Sequence, residues 1–93
     1  MRSVLLASTS AASFTTPTPE LFHNRAGIEY GLFQVDISAA ATVKLQGRTT
    51  PQMSWVEVKE YTASDAERLT IFPEMRVVIT GNTGTVKAVM VDH

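Results

Sequence analysis

Hydrophobic and polar positions alternate along most of this chain with a period of two, the signature of strands with one buried face. The pattern is clearest from Trp55 to Val91. There Val56 and Val58 are expected on one face, and Trp55, Glu57, Lys59 and Tyr61 on the other. Thr62–Asp65 reads as a turn. Leu69 and Ile71 then alternate with Arg68 and Thr70 until Pro73 ends the run. Met75, Val77 and Ile79 alternate with Arg76, Val78 and Thr80, and Val86, Ala88 and Met90 with Lys87, Val89 and Val91. Between these last two runs, Gly81-Asn82-Thr83-Gly84 predicts a hairpin.

The first half of the chain is less regular. Val4–Ala7 is expected to form a strand. Ser8–Thr16 is rich in Ser, Thr and Ala and contains one large apolar residue, Phe14, so it reads as a flexible stretch or a second, solvent-facing strand. Pro17 and Pro19 each lack a backbone donor and favour an extended crossing. Glu20–Ala26 fits one helical turn or an irregular loop. A longer strand follows over Ile28–Ser38, with a bulge or bend expected at Gly31. Ala41, Val43 and Leu45 then alternate with Thr42, Lys44 and Gln46 up to Gly47, and Arg48–Ser54 is a loop containing Pro51.

About seven or eight short strands, with Gly and Pro turns and no helical apolar stripe, predict an all-β fold: an antiparallel β-sandwich or a jelly-roll-like barrel. The 93 residues fit a single domain. Within it, residues 1–26 divide off as an N-terminal strand and extended arm, and 27–93 as the sandwich core.

Charge narrows the function. Eight basic and nine acidic residues are scattered without a run of one sign, giving a net charge of −1. That balance argues against direct nucleic-acid binding through a basic stripe and against electrostatic attachment to a membrane. The chain has no cysteine, which excludes a disulfide framework and a thiolate metal site. The apolar run Val4–Ala7 is short of the roughly seven residues a secretory signal core needs, so a first strand is the better reading. No apolar run reaches the ~18–20 residues of a membrane-spanning helix.

Catalytic patterns are missing. His23 falls in a loop and His93 at the end, with no HExxH spacing, so no metal site is expected. There is no GxSxG elbow and no phosphate-binding glycine loop, so neither catalytic nor cofactor-binding residues are assigned. Gly81–Gly84 has the Gly-x-x-Gly spacing of a nucleic-acid clamp, but it joins strands and lacks basic neighbours. The carboxylates fall mostly on polar strand faces or in turns, as solvated charges do. Trp55 and Tyr61 are candidate aromatic contacts, as a core cap, an interface anchor or a sugar-stacking platform. Arg76 is expected either to pair with Glu74, Glu57 or Glu60, or to reach another subunit.

One resemblance emerges from the order of short motifs. Leu5-Leu6-Ala7-Ser8 is followed by Gly27-Ile28 opening a strand that ends Val35-Asp36-Ile37-Ser38. Next come Ala41–Arg48 (ATVKLQGR), Trp55-Val56, Tyr61–Ser64, Phe72–Val77 (FPEMRV) and Gly84-Thr85-Val86. This series resembles the small β-sandwich virion proteins of tailed bacteriophages. The resemblance implies a capsid decoration or cement protein that stabilises the head from its outer surface. It would be made in the host cytoplasm, located on the virion, and need neither enzyme activity nor a cofactor. Its partners would be the major capsid protein or other virion proteins and further copies of itself, a trimer being favoured. A carbohydrate-binding or host-adsorption module on a head fibre or tail is the alternative, and a head–tail joining or tail component a second. Phe14, Pro17, Pro19, Leu21 and Phe22, apolar residues in the irregular arm, are the candidate partner-interface residues.

Overall fold

The computed structural model describes the backbone of residues 2–17, 20–21 and 29–92, and the side chains of 3–17 and 30–91. Among the described residues there are nine strands: β1 (Arg2–Thr9), β2 (Phe14–Thr15), β3 (Glu20–Leu21), β4 (Glu29–Ile37), β5 (Thr42–Arg48), β6 (Val56–Tyr61), β7 (Asp65–Ile71), β8 (Glu74–Thr80) and β9 (Val86–Asp92). They form two sheets, one of order β1-β9-β4-β7, the other β2-β8-β5-β6 with β3 also on β8. Every pairing is antiparallel. The protein is an all-β sandwich.

The two-residue strands β2 and β3 pair with opposite ends of β8, Phe14 opposite Ile79 and Glu20 opposite Met75. Pro17, which follows β2 closely, has no N–H to donate to a continued ladder. Taken as one broken strand, β2 and β3 reduce the set to eight, in a distinctive order. First pairs with last (β1 with β9), second with second-last, β4 with β7, and β5 with β6. This is the wrapping of a jelly roll.

The alternation places Val4, Phe33, Val35, Ile71, Ala88 and Met90 on the inner face of the first sheet. Val43, Leu45, Tyr61, Met75, Val77 and Ile79 meet them from the second. The Val, Leu, Ile, Phe and Met side chains buried this completely each contribute on the order of 1.5–3 kcal/mol.

Two local expectations are corrected. Gly31 is not a bulge: β4 keeps continuous register with both β7 and β9 through it. It faces inward in step with Phe33, and a Cβ there would lie 2.5 Å from Ile71 Cδ1 and from the Val91 carbonyl oxygen. The glycine is a close approach of neighbours, not a change of phase. The true bulges are at Leu6, the extra residue between Leu5 and Ala7 opposite β9, and at Val58, the extra residue opposite Leu45 and Gln46. Gly81–Gly84 is not a hairpin either, because β8 and β9 lie in different sheets. It carries the chain from one layer to the other, with Gly81 at φ 62° and the Asn82 side chain buried. Asn82 Nδ2 donates to the Ala11 carbonyl at 3.0 Å, and the Gly84 N–H donates to Asn82 Oδ1 at 3.0 Å.

Candidate functional site

On β5, inward Val43, Leu45 and Gly47 alternate with outward Lys44, Gln46 and Arg48. Register sets Gln46 beside Arg76 and Arg48 beside Glu74, both on β8. The loop after β5 turns through a Met53 N–H to Thr50 carbonyl bond of 3.1 Å and brings Trp55 back over this face. The Arg48 and Arg76 guanidinium carbons lie 4.2 and 4.3 Å from the centre of the indole ring. Both fall within cation–π range.

The two arginines have different partners. Arg48 holds Glu74, its Nη2 donating at 3.0 Å and its Nε at 3.3 Å to Oε1. Arg76 donates through Nε to the neutral Gln46 Oε1 at 2.7 Å. The expected carboxylate partners of Arg76 are engaged elsewhere: Glu74 by Arg48, and Glu57 and Glu60 by Lys44 at 3.9 and 4.0 Å. No carboxylate lies within ion-pairing distance of Arg76 among the described residues. Burial, and secondarily the neighbouring Arg48 charge, lower the pKa of Arg76 from its ordinary value. The cluster therefore holds two guanidiniums against one carboxylate.

Tyr61 does not share this face. The Val58 bulge shifts the phase of β6, so Tyr61 turns into the core, 4 % exposed. Its ring lies 5.2 Å from that of Phe33 at 36°. Its hydroxyl donates to Glu67 Oε1 at 2.7 Å, and Lys59 Nζ approaches the same oxygen at 3.1 Å. Burial, reinforced by the hydrogen bond to Glu67, pushes the Tyr61 phenol well above its ordinary 10.0. Glu67 moves the other way, held low by the Tyr61 hydrogen bond and then by Lys59. Trp55 and Tyr61 thus belong to opposite sides of the second sheet, which removes a sugar platform built from the pair.

The N-terminal candidates divide. Phe14 is half-buried and packs against the core as part of β2, whereas Pro17 is exposed. Between them Thr16 is buried and stitched in: its hydroxyl donates to the Leu6 carbonyl at 3.0 Å and accepts from the Val77 N–H at 3.0 Å. The segment up to residue 17 is thus part of the sandwich. Leu21 contributes backbone pairing to β8, while its side chain, like Pro19 and Phe22, lies outside the described residues.

Sequence reasoning missed a second surface. On the outer face of the first sheet Leu5, Tyr30 and Leu32 are exposed by 53, 44 and 49 %. Register places Leu5 beside Val89 and Leu32 beside Val91, so the residues form one apolar area across three strands. A depression of about 410 Å³ runs along it, lined in part by Leu32, Ala66, Val89 and Val91. Arg68 closes one side, 4.7 Å over the Tyr30 ring. The available signal was the even-numbered run Tyr30 and Leu32, opposite in parity to Phe33 and Val35. At one end of the sandwich a cleft of about 510 Å³ is lined by hydroxyls, including Ser8, Ser38, Ser64 and Thr85. Ser38 and Ser64 are occupied, accepting from the Thr85 and Ile37 N–H groups at 2.7 and 2.8 Å. No group of three metal-ligating side chains occurs among the described residues. Comparison of the chain with known protein families, characterised proteins and solved structures finds no match.

Proposed function

We propose that the chain is a non-catalytic structural protein of a tailed-phage particle, a decoration protein that binds the outer capsid surface. Its partners on this reading are the major capsid protein and further copies of itself. The observation that carries it is the apolar outer face of the first sheet. An antiparallel sheet packed on one side ordinarily turns polar residues to water on the other. Here Leu5, Tyr30 and Leu32 are turned outward together. A contiguous apolar area of this kind supports a protein interface. The jelly-roll wrapping and the ordered motif series support the same reading. Jelly rolls also occur in lectins, but a carbohydrate module would here have to stand on Trp55 without Tyr61.

The test is binding to undecorated phage heads followed by sedimentation and light scattering. The wild-type chain should co-sediment at a fixed ratio to the capsid protein, and Leu32→Asp, which places a charge in the apolar area, should not. Absence of the chain from purified particles would refute the reading, as would a ring-forming assembly bound only at the head–tail junction. A saturable shift of Trp55 fluorescence with a glycan would instead favour the adsorption module.

A further inference from the structure

We infer that Arg76, with Trp55 beside it, is a carboxylate-docking site for an acidic segment of a protein partner. The inference deepens the structural reading by assigning a contact on the face opposite the apolar area. It rests on the imbalance of the cluster and on what surrounds it.

Arg48 is neutralised by Glu74, whose side chain is only 8 % exposed, and is committed to it by two hydrogen bonds. Arg76 spends its Nε on a neutral amide, which leaves the two terminal nitrogens of its guanidinium as the fork that matches a carboxylate. The guanidinium carbon also lies 4.3 Å from the centre of the Trp55 ring, within cation–π range. A half-buried cation without a counter-charge among the described residues gains from one supplied by a partner.

The surroundings are those of an interface centre. Met53, two residues before Trp55, is 57 % exposed. Tryptophan, arginine and methionine are the residues that interface cores concentrate. The charges beside the cluster also select the partner. Glu57 lies in the same cross-strand row as Gln46 and Arg76, and Glu60 lies one row further along. Both would repel a chain of phosphates, so the site suits one or two carboxylates on a peptide and disfavours nucleic acid.

Trp55 is the chain's only tryptophan, so its emission reports the site directly. The whole protein is titrated at low ionic strength with a capped tetraglutamate peptide, tetralysine and inorganic phosphate. Tetraglutamate should give a saturable change with a Kd of about 1–10 mM, as expected for one or two ion-pair contacts. Tetralysine should give none. Arg76→Gln should weaken binding at least about tenfold, Arg76→Lys by less because the charge survives without the fork, and Lys87→Gln, on β9 of the other sheet, not at all. The inference is overturned by no saturable response, by an equal response to phosphate, or by equal losses in the Lys87 and Arg76 variants. Should Arg76→Gln fail to fold, Arg76→Lys decides, since unchanged binding there removes the fork from the argument. Head binding separates this from the broader reading. If the wild type binds heads but ignores tetraglutamate, the docking site falls alone; if it binds tetraglutamate but not heads, the virion reading falls alone.

Discussion

Gly47 is where a single methyl group should do the most damage for its size. It sits mid-strand on β5, faces inward, and has the Phe72 ring laid against it. A Cβ there would lie 2.6 Å from both Cγ and Cδ1 of Phe72 and 2.8 Å from its Cβ. Carbon atoms pack at about 3.5–4.0 Å, so the ring must retreat by roughly 1 Å. Phe72 is tethered at the corner before β8, its N–H donating to Met75 Sδ at 3.3 Å. Overpacking of this kind costs about 1–3 kcal/mol, and replacing a strand glycine returns about 0.5–1 kcal/mol. Gly47→Ala should therefore lose about 1–2 kcal/mol. For a domain of this size that lowers Tm by roughly 5–15 °C. Thermal and urea melts followed by circular dichroism measure it, and Trp55 emission should shift too, because Gln46 and Arg48 flank the glycine. Repeating the substitution in a Phe72→Ala background removes the ring but keeps its Cβ, so the cost should drop by about half. A Tm at or above wild type, or the same loss in both backgrounds, would refute the steric argument.

Other consequences follow from the buried polar contacts. Because the folded pKa of Tyr61 lies above its ordinary 10.0, the stability it confers is complete below pH 10 and is lost as pH rises towards the folded value. Tyr61→Phe should flatten that alkaline limb and cost about 1 kcal/mol at neutral pH, both readable in urea melts across pH. Glu67 has the opposite sign: its folded pKa lies below 4.5, so its contribution is present above that value and fades as pH falls through the folded one. Glu67→Gln should flatten the acid limb. Thr16→Val leaves the buried Val77 N–H without its side-chain acceptor and should cost about 1–3 kcal/mol, while Thr16→Ser should restore most of it. Deleting residues 1–22 should yield an unfolded chain by circular dichroism, because it removes Val4, Leu6 and Ala7 from the core and β1 from the edge of its sheet. A folded truncation would contradict the packing described here.

What was legible in the sequence, and what was not, follows from how far each signal travels along the chain. Alternation is local, so β5, β8 and β9 could be placed almost to the residue: Val43 and Leu45, Val77 and Ile79, Ala88 and Met90 declare their faces by parity alone. Sheet membership is not local. The Gly81–Gly84 turn has the composition of a hairpin, yet whether it folds β9 back beside β8 or across to the other layer depends on distant partners. Asn82 reaches back to Ala11 for its hydrogen bond, and β9 finds β1 and β4. The bulges were invisible for a related reason. Val58 is as β-prone as its neighbours, and only the mismatch with Leu45 and Gln46 reveals that one residue is surplus. That surplus residue decides the candidate site. Counted without it, Trp55 and Tyr61 fall on one face and suggest a stacking platform. Counted with it, Tyr61 enters the core and Trp55 is left on the outside with Arg48 and Arg76. The charge pairing was likewise settled by register. Each carboxylate expected to pair with Arg76 has a better-placed cation across the ladder, Arg48 for Glu74 and Lys44 for Glu57 and Glu60. The unmatched arginine is thus a product of strand pairing, and a substitution that shifts the β5–β6 register should alter the site even if it touches none of its residues.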